Sequence, residues 1–356
     1  MLQHSLHNPV LLIDGKRVDS FKSANFSQNV NQPDNLSASF SDPDLENMSL
    51  MDKKVELYLH EKDNVPLFRG FIRQANPQET NISISAQDGR AYMAGNSMPI
   101  IIDEKDNYDG FTVVQFLKEY IDNYINLNEI RLDTSTLHEM DKPVYMTGVR
   151  DSKDVFSVIK SKLKKVIDDE TDTDRTNDKS VFTYFIDIIH MGENSGITFR
   201  KSRVLDGIPD YSFSYNDGLQ KVSYTERSPP SFAIGSTTNN DKKSNEQVIF
   251  SYGNAPSGIR GLNTSTEVEG SSRGELRENL IPHVLLAQQY TKEISIEVTK
   301  GYNIGLSNII NLNTNDDNVD GQYRVTGKSI NISQTNMSCT ISCNNEPIIM
   351  TDYIFS

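Results

Sequence analysis

The densest pattern of oxygen ligands in the chain is Asp316-x-Asn318-x-Asp320-Gly321, the spacing with which the opening half of an EF-hand loop surrounds calcium. The second half does not follow. The position where a bidentate glutamate closes such a site falls on Gly327, and alternating strand residues follow instead of a helix. Asp, Asn and Gly also populate tight turns, so the stretch reads as a solvated hairpin turn. A second acidic group, Asp168, Asp169, Glu170, Asp172, Asp174 and Asp178, could offer carboxylates to a divalent cation, but like charges so crowded read as a solvated loop. The histidines, His4, His7, His60, His138, His190 and His283, form no HExxH pair and no Cys/His zinc spacing, and read as surface or packing residues. There is no G-x-S-x-G elbow and no Walker or dinucleotide glycine loop. Spacing therefore assigns no catalytic residue, no metal site and no cofactor. Carboxylate pairs that cleave glycosides are set by distance in space, on which spacing is silent.

The bulk properties limit the function classes further. A chain of 356 residues exceeds the usual span of one hydrophobic core, which implies two or three domains. Hydrophobic residues make up 36%, Trp is absent and Ser, Asn and Asp are abundant, a composition suited to short strands and polar turns. A net charge of −14 argues against a specific grip on nucleic acid, which needs a basic footprint. Cys339 and Cys343 fall on one expected strand with Cα atoms roughly 13 Å apart, beyond the ~7 Å reach of a disulfide, so a reducing compartment fits. The first residues lack a basic region and a long apolar run, and nowhere do eighteen apolar residues follow one another. These features imply a soluble chain without a membrane span, made in the cytoplasm.

Two stretches organise the rest, Val55 to Asp88 and Ile309 to Asn344. In each, an alternating strand leads into an Asp-Asn-Val turn, an aromatic-Arg pair (Phe68-Arg69, Tyr323-Arg324), a second strand, an Asn-containing turn and a third strand. Val55, Leu57 and Leu59 alternate with polar residues, as do Ile82, Ile84 and Ala86, which is the pattern of a half-buried strand. Each stretch is a β-meander, and the pair points to internal duplication.

Around these lie further elements. Val10 to Ile13, Asp14-Gly15 and Lys16 to Phe21 read as a hairpin, with strand candidates at Phe26 and Leu36 to Phe40. Val113 to Ile125 carries helical periodicity behind a Thr112-x-x-Gln115 capping box, and a second helix is expected from Asp151 or Ser152. Val181 to Ile189 reads as a strand with Ile197 to Arg200 as its hairpin partner. Ser228 to Glu246 is polar and aperiodic, which predicts a long mobile loop. Ser272-x-x-Glu275 opens a helix that Pro282 should kink, and Ile294, Ile296 and Val298 alternate as a strand.

The C-terminal order, a helix ending Leu-Ala-Gln-Gln-Tyr, an alternating strand, Gly301-x-x-x-Gly305, Ile309 to Leu312, Gly321-x-Tyr-x-Val and a final hairpin, resembles the baseplate hub proteins of phage contractile tails. That is the late control protein D family, related to the N-terminal part of type VI secretion spike proteins, and Phe68-Arg69-Gly70-Phe71-Ile72 matches a strand of such hubs. The resemblance implies a mainly β fold with an α/β insertion: a tube-like β-barrel domain over 1–105, a small α/β domain over 106–205, and a second tube-like barrel over 206–356 with a mobile loop at 228–246 and a helix at 273–290.

It also implies a function and partners. The expected assembly is a homotrimeric ring at the virion tail baseplate that adapts a six-fold tail tube to a three-fold central spike and lets DNA pass. Its partners would be the tube or tube-initiator protein, the spike, baseplate wedge proteins and the tape measure protein. With −14 per copy, the channel wall is expected to be acidic. The competing readings are a tail-tip enzyme that degrades peptidoglycan or polysaccharide, and a carbohydrate-binding adhesion module.

Overall fold

The computed structural model describes residues 8–18, 20–30, 32–42, 45, 49–78, 81–95, 110–125, 132–140, 143–146, 154–163, 184–201, 208–227, 232–236, 247–251, 291–333 and 336–345. Strands β1 (Val10–Ile13) and β2 (Lys16–Arg17) form the opening hairpin. Asp14 and Gly15 take φ of 53° and 79° at its turn, the left-handed region that an Asp-Gly pair enters readily. There follow β3 (Ser20–Asn29), β4 (Asn35–Ser41), β5 (Lys54–Tyr58), β6 (Phe68–Gln78) and β7 (Asn81–Gln87).

The middle of the chain holds the helices. They are α1 (Arg90–Gly95), α2 (Val113–Tyr120), which runs on into a π-helical turn over Ile121–Ile125, and α3 (Val155–Leu163). The capping box starts α2 as expected: the Gln115 N–H donates to Thr112 Oγ1 at 3.1 Å, and the Thr112 N–H to Gln115 Oε1 at 3.0 Å. At α3 the Ser157 N–H donates to Asp154 Oδ1, so that aspartate caps the helix; the expected start at Asp151 or Ser152 lies outside the described residues. Strand β8 (Leu132–Asp133) pairs with β10 (Asn194–Lys201), which forms a hairpin with β9 (Tyr184–Met191).

The last third supplies β11 (Tyr211–Ser214), β12 (Leu219–Arg227), β13 (Phe232–Ser236), β14 (Gln247–Ser251), β15 (Thr291–Val298), β16 (Ile309–Asn313), β17 (Gly321–Ser333) and β18 (Met337–Asn344). The expectation of an unbroken loop over 228–246 is corrected here, because β13 lies inside that stretch and pairs antiparallel with β14. The short runs Phe232-Ala233-Ile234 and Val248-Ile249-Phe250 suit paired extended chains and were masked by the polar residues between them. The helix expected at 273–290, with its Ser272 capping box and Pro282, lies outside the described residues.

Among the described residues one sheet runs β12-β15-β18-β17-β3-β4-β7-β6-β5-β1-β2, with β16 on β17 and β11 on β16. The two meanders share an order. Strands β3-β4-β7-β6-β5 neighbour one another as do β12-β15-β18-β17-β16, and both meanders carry a bulge where their second strand meets their third. The halves join where β3 lies antiparallel on β17, from Gly327 opposite Asn29 to Ser333 opposite Ser23.

Alternation drives the core. Ala24 and Phe26, Leu36, Ala38 and Phe40, Ile82, Ile84 and Ala86, Ile330 and Ile332, and Cys339 and Ile341 all turn to one face and are buried in a single cluster. Burying each large apolar side chain there contributes about 1.5–3 kcal/mol. A second cluster holds Met93 of α1, Val113, Phe116 and Leu117 of α2, Val155 and Ile159 of α3, and Ile186 and Ile197 of the β9–β10 hairpin.

Candidate assembly surface

The face of the sheet opposite the core is polar and small. The register aligns Ser338, Asn331, Asn25, Ser37, Ser85 and Gln74 in one row across β18, β17, β3, β4, β7 and β6. The next row, Ser333, Ser23, Ser39, Ser83 and Asn76, is of the same kind, and a shallow trough of ≈ 510 Å³ opens over both. Side chains bridge the strands: Asn25 Nδ2 donates to Asn331 Oδ1, and Ser39 Oγ to Asn81 Oδ1 at 2.9 Å. These rows carry hydroxyls and amides and no carboxylate or ammonium group.

Besides the short end strands β2 and β11, two edges of this sheet have no partner strand among the described residues. One is the outer side of β12, whose residues Ser223 to Glu226 are exposed. The other is the far half of β6, since β5 covers only Phe68 to Phe71, and β6 from Gln74 onward faces β7 alone on its other side. On β17, the strand in the corresponding place, β16 covers Gly321 to Arg324 and β3 takes the far half.

Behind the sheet, two buried arginines fasten the β9–β10 hairpin. The Arg69 Nε–H donates to Glu56 Oε1 at 2.6 Å, and its two terminal nitrogens donate to the carbonyls of Gly192 and Asn194 in the hairpin turn. Arg90 is fully buried and donates to Asp34 Oδ1 at 2.5 Å, to Asp88 Oδ2 at 2.6 Å and to the Ile186 carbonyl at 3.0 Å. Asp187, whose partner is Arg200 at 2.6 Å, stands 3.9 Å from it.

Burial pushes the Asp34 carboxyl up to about 8 against the pull of Arg90, and the charges of Asp88 and Asp187 add to the push. Burial also opposes the charge on Arg90, but Asp88 and Asp34 outweigh it and hold its pKa above the ordinary arginine range. Three buried carboxyls are thus gathered around one buried guanidinium.

No protein-family model matches the chain, and no curated protein matches it in sequence. Solved structures do. A tail protein from Neisseria meningitidis MC58 superposes with a TM-score of 0.66 at 10% identity, over 97% of this chain and 98% of that one. The fold is that of phage tail proteins. The 43 kDa tail protein of prophage MuSo2 from Shewanella oneidensis gives 0.62 at 11% identity, over 95% of this chain and 96% of its own. The E. coli c3393 protein gives 0.51 at 9% identity, over 94% and 76%; it is a component of the type VI secretion system with structural similarity to T4 bacteriophage tail proteins gp27 and gp5.

Within this tail-protein fold the chemical candidates from the sequence are dispersed. Asp320 closes a turn, its carboxylate accepting from the Thr314 N–H at 2.5 Å, the Thr314 hydroxyl at 2.7 Å and the Asn315 N–H at 3.1 Å. The bonds from Thr314 come first in holding it below the usual carboxylate range. Asp316 Oδ1 accepts from Asn318, so the motif is spent on its own backbone. Among the described residues no group of three His, Cys, Asp or Glu side chains is placed to hold a metal ion. His60 is partly buried beside the β5–β6 loop, His138 is exposed, and His4, His7, His283 and the Asp168 to Asp178 cluster lie outside the described residues.

Cys339 and Cys343 are free, buried on β18, and burial pushes their thiols up. The aromatic-Arg pairs were visible in the sequence, but the grip of Arg69 on the hairpin was not. His190, read from the sequence as a surface or packing residue, joins the hairpin to β6: its Nε2 accepts the Arg69 backbone N–H at 3.3 Å. No described helix is long and apolar enough to cross a membrane.

Proposed function

We propose that this chain is a structural subunit of a phage or phage-like contractile tail, a baseplate hub that closes into a homotrimeric ring. The observation that carries the reading is the repeated strand order with its edges filled unequally. Within one chain β3 sits on the far half of β17, while the equivalent strands β12 and β6 each keep an open edge among the described residues. Seating β12 of one copy on β6 of the next repeats the internal β3–β17 junction between chains. Repetition of that contact by a fixed rotation ends in a closed ring, and three chains of two repeats supply six similar units around the axis.

A ring of this kind has a role that fits the tail-protein fold: joining a six-fold tube to a three-fold spike, at the virion tail baseplate, with tube-initiator, spike, wedge and tape measure proteins as neighbours. The Ser/Asn face lies on the same six strands that the junction extends, and in this reading it lines the passage for DNA. From β18 to β6 the two rows are uncharged. Glu293 and Glu297 of β15 and Lys221 of β12 continue the same face and Lys22 of β3 donates to Asn81 beside it, so this part of the wall carries few charges of mixed sign. Hydroxyls and amides give no counterion-releasing contact to phosphates, so a duplex would slide without being held. The chain acts through assembly, and no chemical step is assigned to it.

The test follows from the register. The bulges align Gly327 with Gln74 and Ser23 with Lys221, so by analogy with Ser329 opposite Ser27 the new junction places Asn76 opposite Thr225 of the next copy. Antiparallel partners stand about 4.5–5.5 Å apart at Cα, within disulfide reach. An Asn76→Cys, Thr225→Cys double variant, oxidised gently, is expected to give a covalent trimer on a denaturing gel and neither single variant a ladder. Monomer alone after oxidation, with native mass also that of one chain at high concentration and in the presence of spike protein, would overturn the ring.

A further inference from the structure

We propose that His190 is an acid-sensitive latch that holds the β9–β10 hairpin, and with it the helical insertion, on the main sheet. The geometry fixes its state. The partner of Nε2 is the backbone N–H of Arg69, a group that can only donate, so Nε2 must carry a lone pair. Nδ1 then bears the proton and points it at Ser195 Oγ, 2.9 Å away on β10. The ring therefore serves the latch only as the neutral Nδ1–H tautomer.

A proton arriving from solvent has one place to go, and that is Nε2. It would set N–H against N–H across a 3.3 Å contact and convert an acceptor into a second cation beside Arg69. The charged groups packed around the ring are Arg69 of β6, Glu56 of β5 with Lys54 beside it, Asp88 after β7 and Arg90 of α1, with Asp187 and Arg200 further along the hairpin. Glu56 and Asp88 favour an imidazolium, but each is already bonded to an arginine, Glu56 to Arg69 and Asp88 to Arg90. Burial comes first in holding the ring's pKa down to about 4, and Arg69 and Arg90 add to it. A group depressed in the latched state stabilises the latch above its free value near 6.5 and loses that contribution as pH falls toward 4.

Hydrogen exchange on the full chain reads this directly. Between pH 7 and pH 4, after correction for intrinsic rates, the opened population of 184–201 and of the Arg69 amide should rise on the order of a hundredfold, each pKa unit between latched and free states being a factor of ten. Amides of the β3–β17 junction should not follow. His190→Gln can accept from the Arg69 N–H but cannot take up a proton, and its hairpin should stay closed over the same range. An equal acid response in His190→Gln, or none in the wild type, would overturn the latch. If that variant does not fold, NMR titration of the wild-type imidazole decides: Nδ1–H at neutral pH and titration near 4 support the proposal, and titration near 6.5 refutes it. The trimer proposal plays no part in either readout.

Discussion

Arg90 Nη2 and Asp34 Oδ1 lie 2.5 Å apart with their side chains 0% and 1% exposed, although 56 residues separate them in the chain. The pair ties the β3–β4 turn to the start of α1, and through the Ile186 carbonyl to β9, so three segments meet on one guanidinium. Replacing Arg90 with Met leaves Asp88 buried without its cation and Asp34 without its donor. A loss of about 3–5 kcal/mol is expected, measured as the drop in unfolding free energy by urea titration; a loss near zero would show the pair to be dispensable.

Asp34 gives stability a pH dependence of defined sign. Its folded pKa stands above the ordinary 3.8, so its contribution is fully present below that value and is lost as pH rises through about 8. Asp34→Asn cannot ionise and should flatten this decline. Unfolding curves at several pH values between 4 and 8 check it, and the difference between wild type and variant should grow steadily in the variant's favour.

Gly70 is held by close approach rather than by its dihedral angles. A Cβ there would lie 2.2 Å from the carbonyl oxygen of Gln87 and 2.6 Å from the Phe68 ring. Gly70→Ala must therefore part β6 from β7 beside Arg69, and should cost about 1–3 kcal/mol. Thermal unfolding gives the value. Gly15→Ala meets open space and should cost through its positive φ alone.

Charge placed on the polar face should change how an assembled ring treats DNA. Wild-type rings are expected to retain no duplex at low salt, whereas Ser37→Lys with Ser85→Lys, neighbours across β4 and β7, should bind it with a steep loss of affinity as salt rises. Binding by the wild type with that same salt slope would argue against a wall that does not hold DNA.

Most of the strands were legible because their alternation is strict. Val55 and Leu57, Ile82 and Ile84, and Ile294 and Ile296 turn inward as their spacing requires, and Thr112 with Gln115 starts α2. The β3–β17 junction was not legible, because Asn25 meets Ser329 across a separation of 304 residues that local periodicity does not carry. The arginine clamp was hidden for the same reason. Asp88-Gly89-Arg90 reads as a strand end running into a helix, and nothing nearby announces Asp34 or Asp187. His190 looked like any histidine near a strand end until the Arg69 N–H was found opposite it.

The junction also sets a timetable for the nascent chain. β3 leaves the ribosome early, but the strand that covers its outer edge, β17, follows about 300 residues later; at typical synthesis rates that is roughly 15–60 s. Throughout that interval β3 shows an open edge bearing Ala24 and Phe26 on one side, a template on which two unfinished chains could pair. Yield in a cell should thus depend on translation speed and on chaperones that shield edges, and slowing synthesis between β7 and β17 should divert product into aggregates before any change in the finished fold.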